Sequence, residues 1–181
     1  GWRPAVFVPV RKEGFSMVPR PGNDSQYDWK GKVPYSQMPY LFNPPGGYIS
    51  TANNKTIGDN FPYYISGLWA DPSRAEQIKK RLDTLVDAAV DDMKSIQLEL
   101  TSPFAQEITP YILAVEKGDE TGNLARAFRY LREWNGVEGV DSEAALIFHA
   151  FIRSLTINLY GDELSLLGKN YLDAYTGLNY L

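Results

Sequence analysis

The chain has 181 residues, 44% of them apolar, 22% charged and 13% aromatic, with a net charge of −4 and no cysteine. This is a globular composition with room for one domain with a real core, or two small ones. It excludes a disulfide framework and thiol chemistry, lacks the basic patch of a nucleic-acid binder, and has no apolar run near the ~18 residues of a membrane span.

The chain begins at Gly1 in strand-like sequence, without a signal-peptide pattern, and ends at Leu181 without a tail. It reads as a piece of a longer protein. Ala5-Val6-Phe7-Val8-Pro9-Val10 is a β-branched and aromatic run, predicted as a strand that Pro9 places at an edge or ends. Residues 11–34 are rich in Gly, Pro, Asn, Asp and Ser and read as loop, with a turn at Pro21-Gly22-Asn23-Asp24. Tyr27, Trp29 and Tyr35 are large enough to pin that loop to a surface. Residues 34–41 read as irregular or 3₁₀ structure. Asn43-Pro44-Pro45-Gly46-Gly47 makes a turn, and Tyr48-Ile49-Ser50-Thr51-Ala52 reads as a strand. Asn53-Asn54 breaks it, because Asn tolerates left-handed backbone and bonds its own main chain. Residues 55–70 form a second loop with aromatic anchors.

From Asp71 the pattern becomes helical. Asp71-Pro72 is a cap followed by proline at the first helical position, with Ala75, Ile78, Leu82 and Leu85 at helical spacing. Residues 87–99 carry Val90, Met93 and Ile96, again helical. Ser102-Pro103 repeats the cap-plus-proline signal and opens a helix through Val115 that Gly118 stops. Residues 121–134 place Leu124, Ala127, Phe128 and Leu131 on one face. Asn135-Gly136 is a turn, Ser142 caps a long apolar helix over 143–160, and residues 164–175 suggest one more short helix. Residues 1–70 are therefore strand and loop and residues 71–181 mostly helical, which makes the class α+β rather than alternating α/β.

Few residues carry obvious chemistry. The side-chain N–H₂ of Asn53 is neutral, short and fixed, and so suits an oxyanion donor; taken alone, an Asn-Asn pair at a strand end is a turn. Arg74, in a first helical turn, would ordinarily make a surface ion pair, here with Asp71 or Glu76. Its charge opposes the helix dipole, which points to a partner elsewhere. His149, the single histidine, lies in the middle of an apolar helix and reads as a packed, hydrogen-bonded residue, so no zinc site is expected. Asp91-Asp92, Asp119-Glu120 and Asp162-Glu163 sit near helix ends and lack the spaced ligands of a calcium loop. Phe61, Tyr63, Tyr64 and Trp69 could line an apolar pocket or anchor their loop.

The order Asn43-Pro44, Gly47-Tyr48-Ile49, Thr51-Ala52-Asn53-Asn54, Phe61-Pro62-Tyr63, Trp69 and Arg74 resembles the penicillin acylase family of N-terminal nucleophile amide hydrolases. The resemblance runs from Ala5 to about Tyr160 and includes Trp134-Asn135-Gly136 and Asp141-Ser142-Glu143. It implies a middle portion of the family's β-chain and an incomplete piece of the αββα fold. It implies Asn53 in the oxyanion hole and Arg74 as active-site support; of the loop aromatics, Phe61, Tyr63 and Trp69 are the residues expected at the substrate if the loop lines a pocket rather than being anchored by them. The implied nucleophile is a serine at the mature β-chain terminus, outside this chain, so these residues alone are expected to be inactive. The implied partners are an N-acyl amide substrate and the remaining α-chain and β-chain segments of the parent, with no nucleic acid and no membrane. The implied location is the periplasm or outside the cell. Some family members hold calcium partly through an aspartate in the loop after the Asn pair. Ile65 stands where that ligand would align, so no metal or cofactor is expected on this segment. The competing expectation is a helical interaction module whose aromatic loop serves for docking.

Overall fold

The computed structural model of the chain describes residues 1–13, 17–119 and 121–162. The chain divides into two compact units, Gly1–Thr84 and the residues from Leu85 onward. The described elements are one two-stranded sheet and five α-helices, an α+β arrangement dominated by helix.

In the first unit, β1 (Pro9–Arg11) pairs antiparallel with β2 (Trp29–Lys32), with a register irregularity between Val10 and Arg11. The strand expected over residues 5–10 therefore begins later. Pro9 has no N–H to donate and fits the first position of a strand, while Val6 and Phe7 before it stay exposed. Residues 29–32, expected as loop, supply the partner strand. The backbone around this hairpin is continued by Val33 N–H donating to Val8 O at 2.9 Å and Lys12 N–H to Asp28 O at 3.0 Å. Val8, Val33 and Met38 form a small buried cluster, with Val10, Tyr63 and Ile65 packed on it.

Of the aromatics expected to pin the long loop, Tyr27 is half-buried under Arg20, but Trp29 is 60% exposed. Tyr35 is also exposed and, with Tyr40, sandwiches the Arg3 guanidinium at 4.7 Å from each ring. The 3₁₀ turn expected after Pro34 spans Tyr35–Gln37. The strand expected over residues 48–52 is absent from the described sheet. An extended segment needs a neighbouring strand, and here side chains take its backbone groups instead: Asn54 Oδ1 accepts from Ala52 N–H at 3.1 Å, and Ala52 O accepts from Arg74. Helix α1 (Ser73–Leu82) closes the unit. Asp71 Oδ1 accepts from Ser73 N–H at 2.9 Å, so the expected cap forms, one residue ahead of the proline that leads into the helix.

The second unit holds α2 (Val90–Gln97), α3 (Pro103–Leu113), α4 (Gly122–Glu133) and α5 (Glu143–Tyr160). Helix α2 is shorter than the 87–99 expected, because Asp87 takes a positive φ of 54° and Asp92 caps the backbone N–H of Ala89 at 2.8 Å. Ser102 and Ser142 cap α3 and α5 as expected, each accepting at 3.2 Å from the backbone N–H three residues on. Their core is Ala105, Ile112, Phe128, Leu131 and Phe148. Phe148 is 0% exposed and lies 5.4 Å from the Trp134 ring and 5.8 Å from that of Phe104. Between α4 and α5, Gly136 (φ 83°) turns the chain so that Ser102 N–H donates to Gly136 O at 2.8 Å. A Cβ at Gly136 would meet Gln106 Cγ at 2.6 Å, so only glycine fits. The short helix expected over 164–175 lies outside the described residues.

Candidate active site around Asn53 and Arg74

Asn53 sits at φ 61°, the left-handed region where Asn is enriched. Its carbonyl accepts from Ala70 N–H at 2.9 Å, which joins the two ends of the 54–69 loop at a neck. Asn54, the first residue of that loop, folds its side chain back so that Oδ1 accepts from Ala52 N–H.

Arg74, in the first turn of α1, reaches into the same turn. One guanidinium nitrogen donates to Ala52 O at 2.8 Å and to Asn53 Oδ1 at 3.0 Å. The arginine thus goes to the Asn53 loop rather than to Asp71 or Glu76, and its unfavourable place near a helix N-terminus is offset by two oxygen acceptors. Because guanidinium can only donate, it fixes which side of the amide plane faces it: Oδ1 must, and Nδ2 must point the other way. The pair Asn53–Arg74 is therefore an amide whose oxygen is anchored and whose N–H₂ is presented outward. A neutral donor held in one orientation is the kind of group that stabilises a developing oxyanion.

A second tie fastens the same stretch of chain. Tyr48 O–H donates to Asp83 Oδ1 at 2.5 Å, and Lys79 bonds the other carboxylate oxygen. Asp83 follows the last residue of α1. The Lys79 bond, then that from Tyr48, holds its carboxyl below the ordinary carboxylate value. The same contact raises the Tyr48 hydroxyl, since ionising it would remove the donor facing Asp83. Asp83 also raises the Lys79 ammonium. Sequence reasoning missed this tie: Tyr48 reads as a strand residue, and nothing in the local pattern singles out Asp83.

The three expected substrate residues are placed differently from one another. Tyr63 packs on the Val8–Val33–Met38 cluster, and its hydroxyl donates to Gln37. Phe61 meets it edge-on with ring centroids 6.0 Å apart. Tyr63 also lines a cleft of about 220 Å³ with Pro62, Tyr64 and residues 9–13. Trp69 is half-buried beside the loop neck and does not line that cleft. His149, in the other unit, lies with Nε2 3.3 Å from Glu138 Oε1 and its ring edge-on to Phe148. Among the described residues no group of three His, Cys, Asp or Glu side chains is arranged to hold a metal ion, and no helix is long and apolar enough to cross a membrane.

The penicillin amidase family model matches residues 1–179. Penicillin acylase 2 proenzyme of Pseudomonas sp. (strain SE83) is 35% identical over 150 residues, covering 82% of this chain and 19% of that protein. An acyl-homoserine lactone acylase, QuiP, of Pseudomonas syringae pv. tomato is 28% identical over 179 residues, covering 91% of this chain and 21% of its own length. Penicillin G acylase of Escherichia coli is 33% identical over 78 residues, which is 41% of this chain and 9% of that protein. The chain thus spans about a fifth of the length of the first two relatives. From its Asn-Pro turn to its capped helices, the chain belongs to the penicillin amidase family.

Proposed function

We propose that this chain is part of an N-acyl amide hydrolase in which Asn53 donates a hydrogen bond to the oxyanion and Arg74 keeps the Asn53 amide in the donating orientation. The observation that carries this reading is the bond from Arg74 to Asn53 Oδ1, which leaves Nδ2 as the outward-facing group. In the reaction, a serine outside this chain attacks the amide carbonyl, its own terminal amine taking the proton. Negative charge develops on the carbonyl oxygen as the tetrahedral intermediate forms, and Asn53 Nδ2–H bonds it more strongly there than in the ground state. Collapse expels the amine and leaves an acyl-enzyme, which water hydrolyses to the free acid.

The substrates in this reading are N-acyl amides such as β-lactam side-chain amides or acyl-homoserine lactones, the classes named for the relatives. Phe61, Tyr63 and Trp69 belong to the loop that opens and closes at the Asn53 neck. In this proposal Phe61 and Trp69 face the acyl group, while Tyr63 serves chiefly to anchor the loop. The segment supplies neither nucleophile nor cofactor and is inactive alone. Its partners are the remaining α-chain and β-chain segments, and the periplasm or cell exterior is its place of action. Large exposed side chains on α5, among them Leu146, Leu155 and Leu159, support the presence of further packing partners.

The test is hydrolysis of chromogenic acyl anilides, from phenylacetyl to dodecanoyl, by the full-length protein and its Asn53→Ala variant. A fall in kcat of about 10²-fold or more with folding intact is expected for loss of one oxyanion donor. Unchanged activity would make Asn53 a turn residue. No hydrolysis of any acyl group by the unaltered protein would favour an interaction module.

A further inference from the structure

Each end of α1 carries one charge of the wrong sign for a helix dipole, beside Glu76 in the first turn and Lys79, Lys80 and Arg81 in the last, which have the right sign. Arg74 stands in the first turn and Asp83 follows the last residue. Each is engaged by the same short stretch of chain: Arg74 by Ala52 and Asn53, Asp83 by Tyr48. The dimensions match. The chain from Tyr48 to Asn53 can span at most about 16 Å, and the nine steps of helix from Arg74 to Asp83 rise about 13 Å. The stretch runs back along the helix and is fastened to it at both ends.

We propose that the Tyr48–Asp83–Lys79 tie is a positioning device for Asn53, using α1 as a rigid strut to fix where the amide of Asn53 stands. This deepens the proposed function and rests on Asn53 being the oxyanion donor. The arginine orients the Asn53 amide and Ala70 N–H holds its carbonyl, but neither fixes the Tyr48 end of the stretch that leads into it. The Tyr48 ring has few rotatable bonds, and its hydroxyl meets a carboxylate that is itself engaged by Lys79 one helical turn back. With both ends fastened, a lateral shift of residues 48–53 works against one bond or the other. Lys79 and then this bond lower the Asp83 carboxyl, and the bond raises the Tyr48 hydroxyl, so it joins a neutral donor to an ionised acceptor. Tyr48 and Asp83 are positioning residues in this scheme and touch no reacting atom.

The experiment measures kcat and KM for amide hydrolysis by the full-length protein and the variants Tyr48→Phe, Asp83→Ala, Asp83→Asn, Asn53→Ala and Asn53→Ala/Tyr48→Phe. Misplacement of a catalytic group by a fraction of an ångström should cost about 3- to 10-fold in kcat for Tyr48→Phe and Asp83→Ala, with KM within about 2-fold. Asp83→Asn keeps an oxygen that accepts from Tyr48 and should recover most of that loss. In the Asn53→Ala background, Tyr48→Phe should change nothing further, because the residue it positions is gone. An unchanged kcat in Tyr48→Phe overturns the proposal, as does an undiminished Tyr48→Phe effect in the Asn53→Ala background. If Asn53→Ala itself keeps full activity, the oxyanion reading falls and takes this one with it. If Asn53→Ala is crippled while Tyr48→Phe is not, only the positioning role falls.

Discussion

The two units are held together by different means. From Leu85 onward, α3, α4 and α5 close over a ring-filled core in which Phe148 is completely buried. Among the described residues, the first unit buries one cluster of three apolar side chains, with Ala52 buried apart from it. The rest of its order comes from bonds that cross loops: Trp2 with Leu41, Asn53 with Ala70, Arg74 with Asn53, Tyr48 with Asp83. Burial of area is non-directional and tolerates small shifts, whereas a hydrogen bond fixes direction and distance. A region that holds one amide in one place, as the proposed role of Asn53 requires, gains more from the second.

That contrast can be broken experimentally, beginning where the effect is largest. Phe148→Ala should destabilise the helical unit by about 3–5 kcal/mol, the usual cost of emptying a fully buried phenylalanine site. Denaturant titration read by helical circular dichroism measures it, and a loss near 1 kcal/mol would mean that the core is not where this unit's stability resides. Met38, 2% exposed, anchors the smaller cluster. Met38→Ala should cost about 2–4 kcal/mol, read as faster amide exchange in the β1–β2 hairpin. If it matches Phe148→Ala, the distinction between the units fails. Ser142→Ala removes the acceptor of the Ala145 N–H and should cost about 1 kcal/mol, with early fraying confined to the first turn of α5.

The smallest effect is on pH. Asp83 is held below its ordinary value of 3.8, so the stability it contributes is complete above that value and is lost as pH falls through the lowered one. Tyr48 and Lys79 are raised above 10.0 and 10.5, so their contributions are complete below those values and vanish as pH rises beyond the raised ones. Intrinsic-rate-corrected protection of the 48–53 amides should therefore be flat between about pH 5 and 9 and decline on both sides. All three groups are solvent-facing, which keeps the change small. A step near neutral pH would mean that some other group controls this stretch.

The helical half of the chain was legible because its signals are local. Ser102-Pro103 and Ser142 announce caps within four residues of the groups they bond, and α5 follows as expected from its cap to Tyr160. Asn53 was legible as a left-handed residue for the same reason. The strand register was not, because pairing depends on a second segment: Pro9 shifts β1 toward Arg11, and Trp29–Lys32, with its lysines and glycine, has no strand-like alternation. Residues 48–52 look like a strand but have none beside them among the described residues. Arg74 and Asn53 could be joined in advance only through the family resemblance, since nothing in a span of twenty-one residues fixes which loop an arginine reaches. The Tyr48–Asp83 bond spans thirty-five residues and is invisible to any local pattern.

One further consequence follows from the bond between Ala70 N–H and Asn53 O. Because that bond closes the loop at its base, the length of the loop beyond Asn54 can change with little effect on the turn that carries the Asn53 amide. Lengthening a closed loop costs little, roughly 0.6 kcal/mol per doubling. The neck is thus a natural splice point: loops of different size and aromatic content can be exchanged above it while the donor below remains where α1 puts it. In the proposed function, that would let selectivity for the acyl group and the power to stabilise charge evolve, or be engineered, as separate parts.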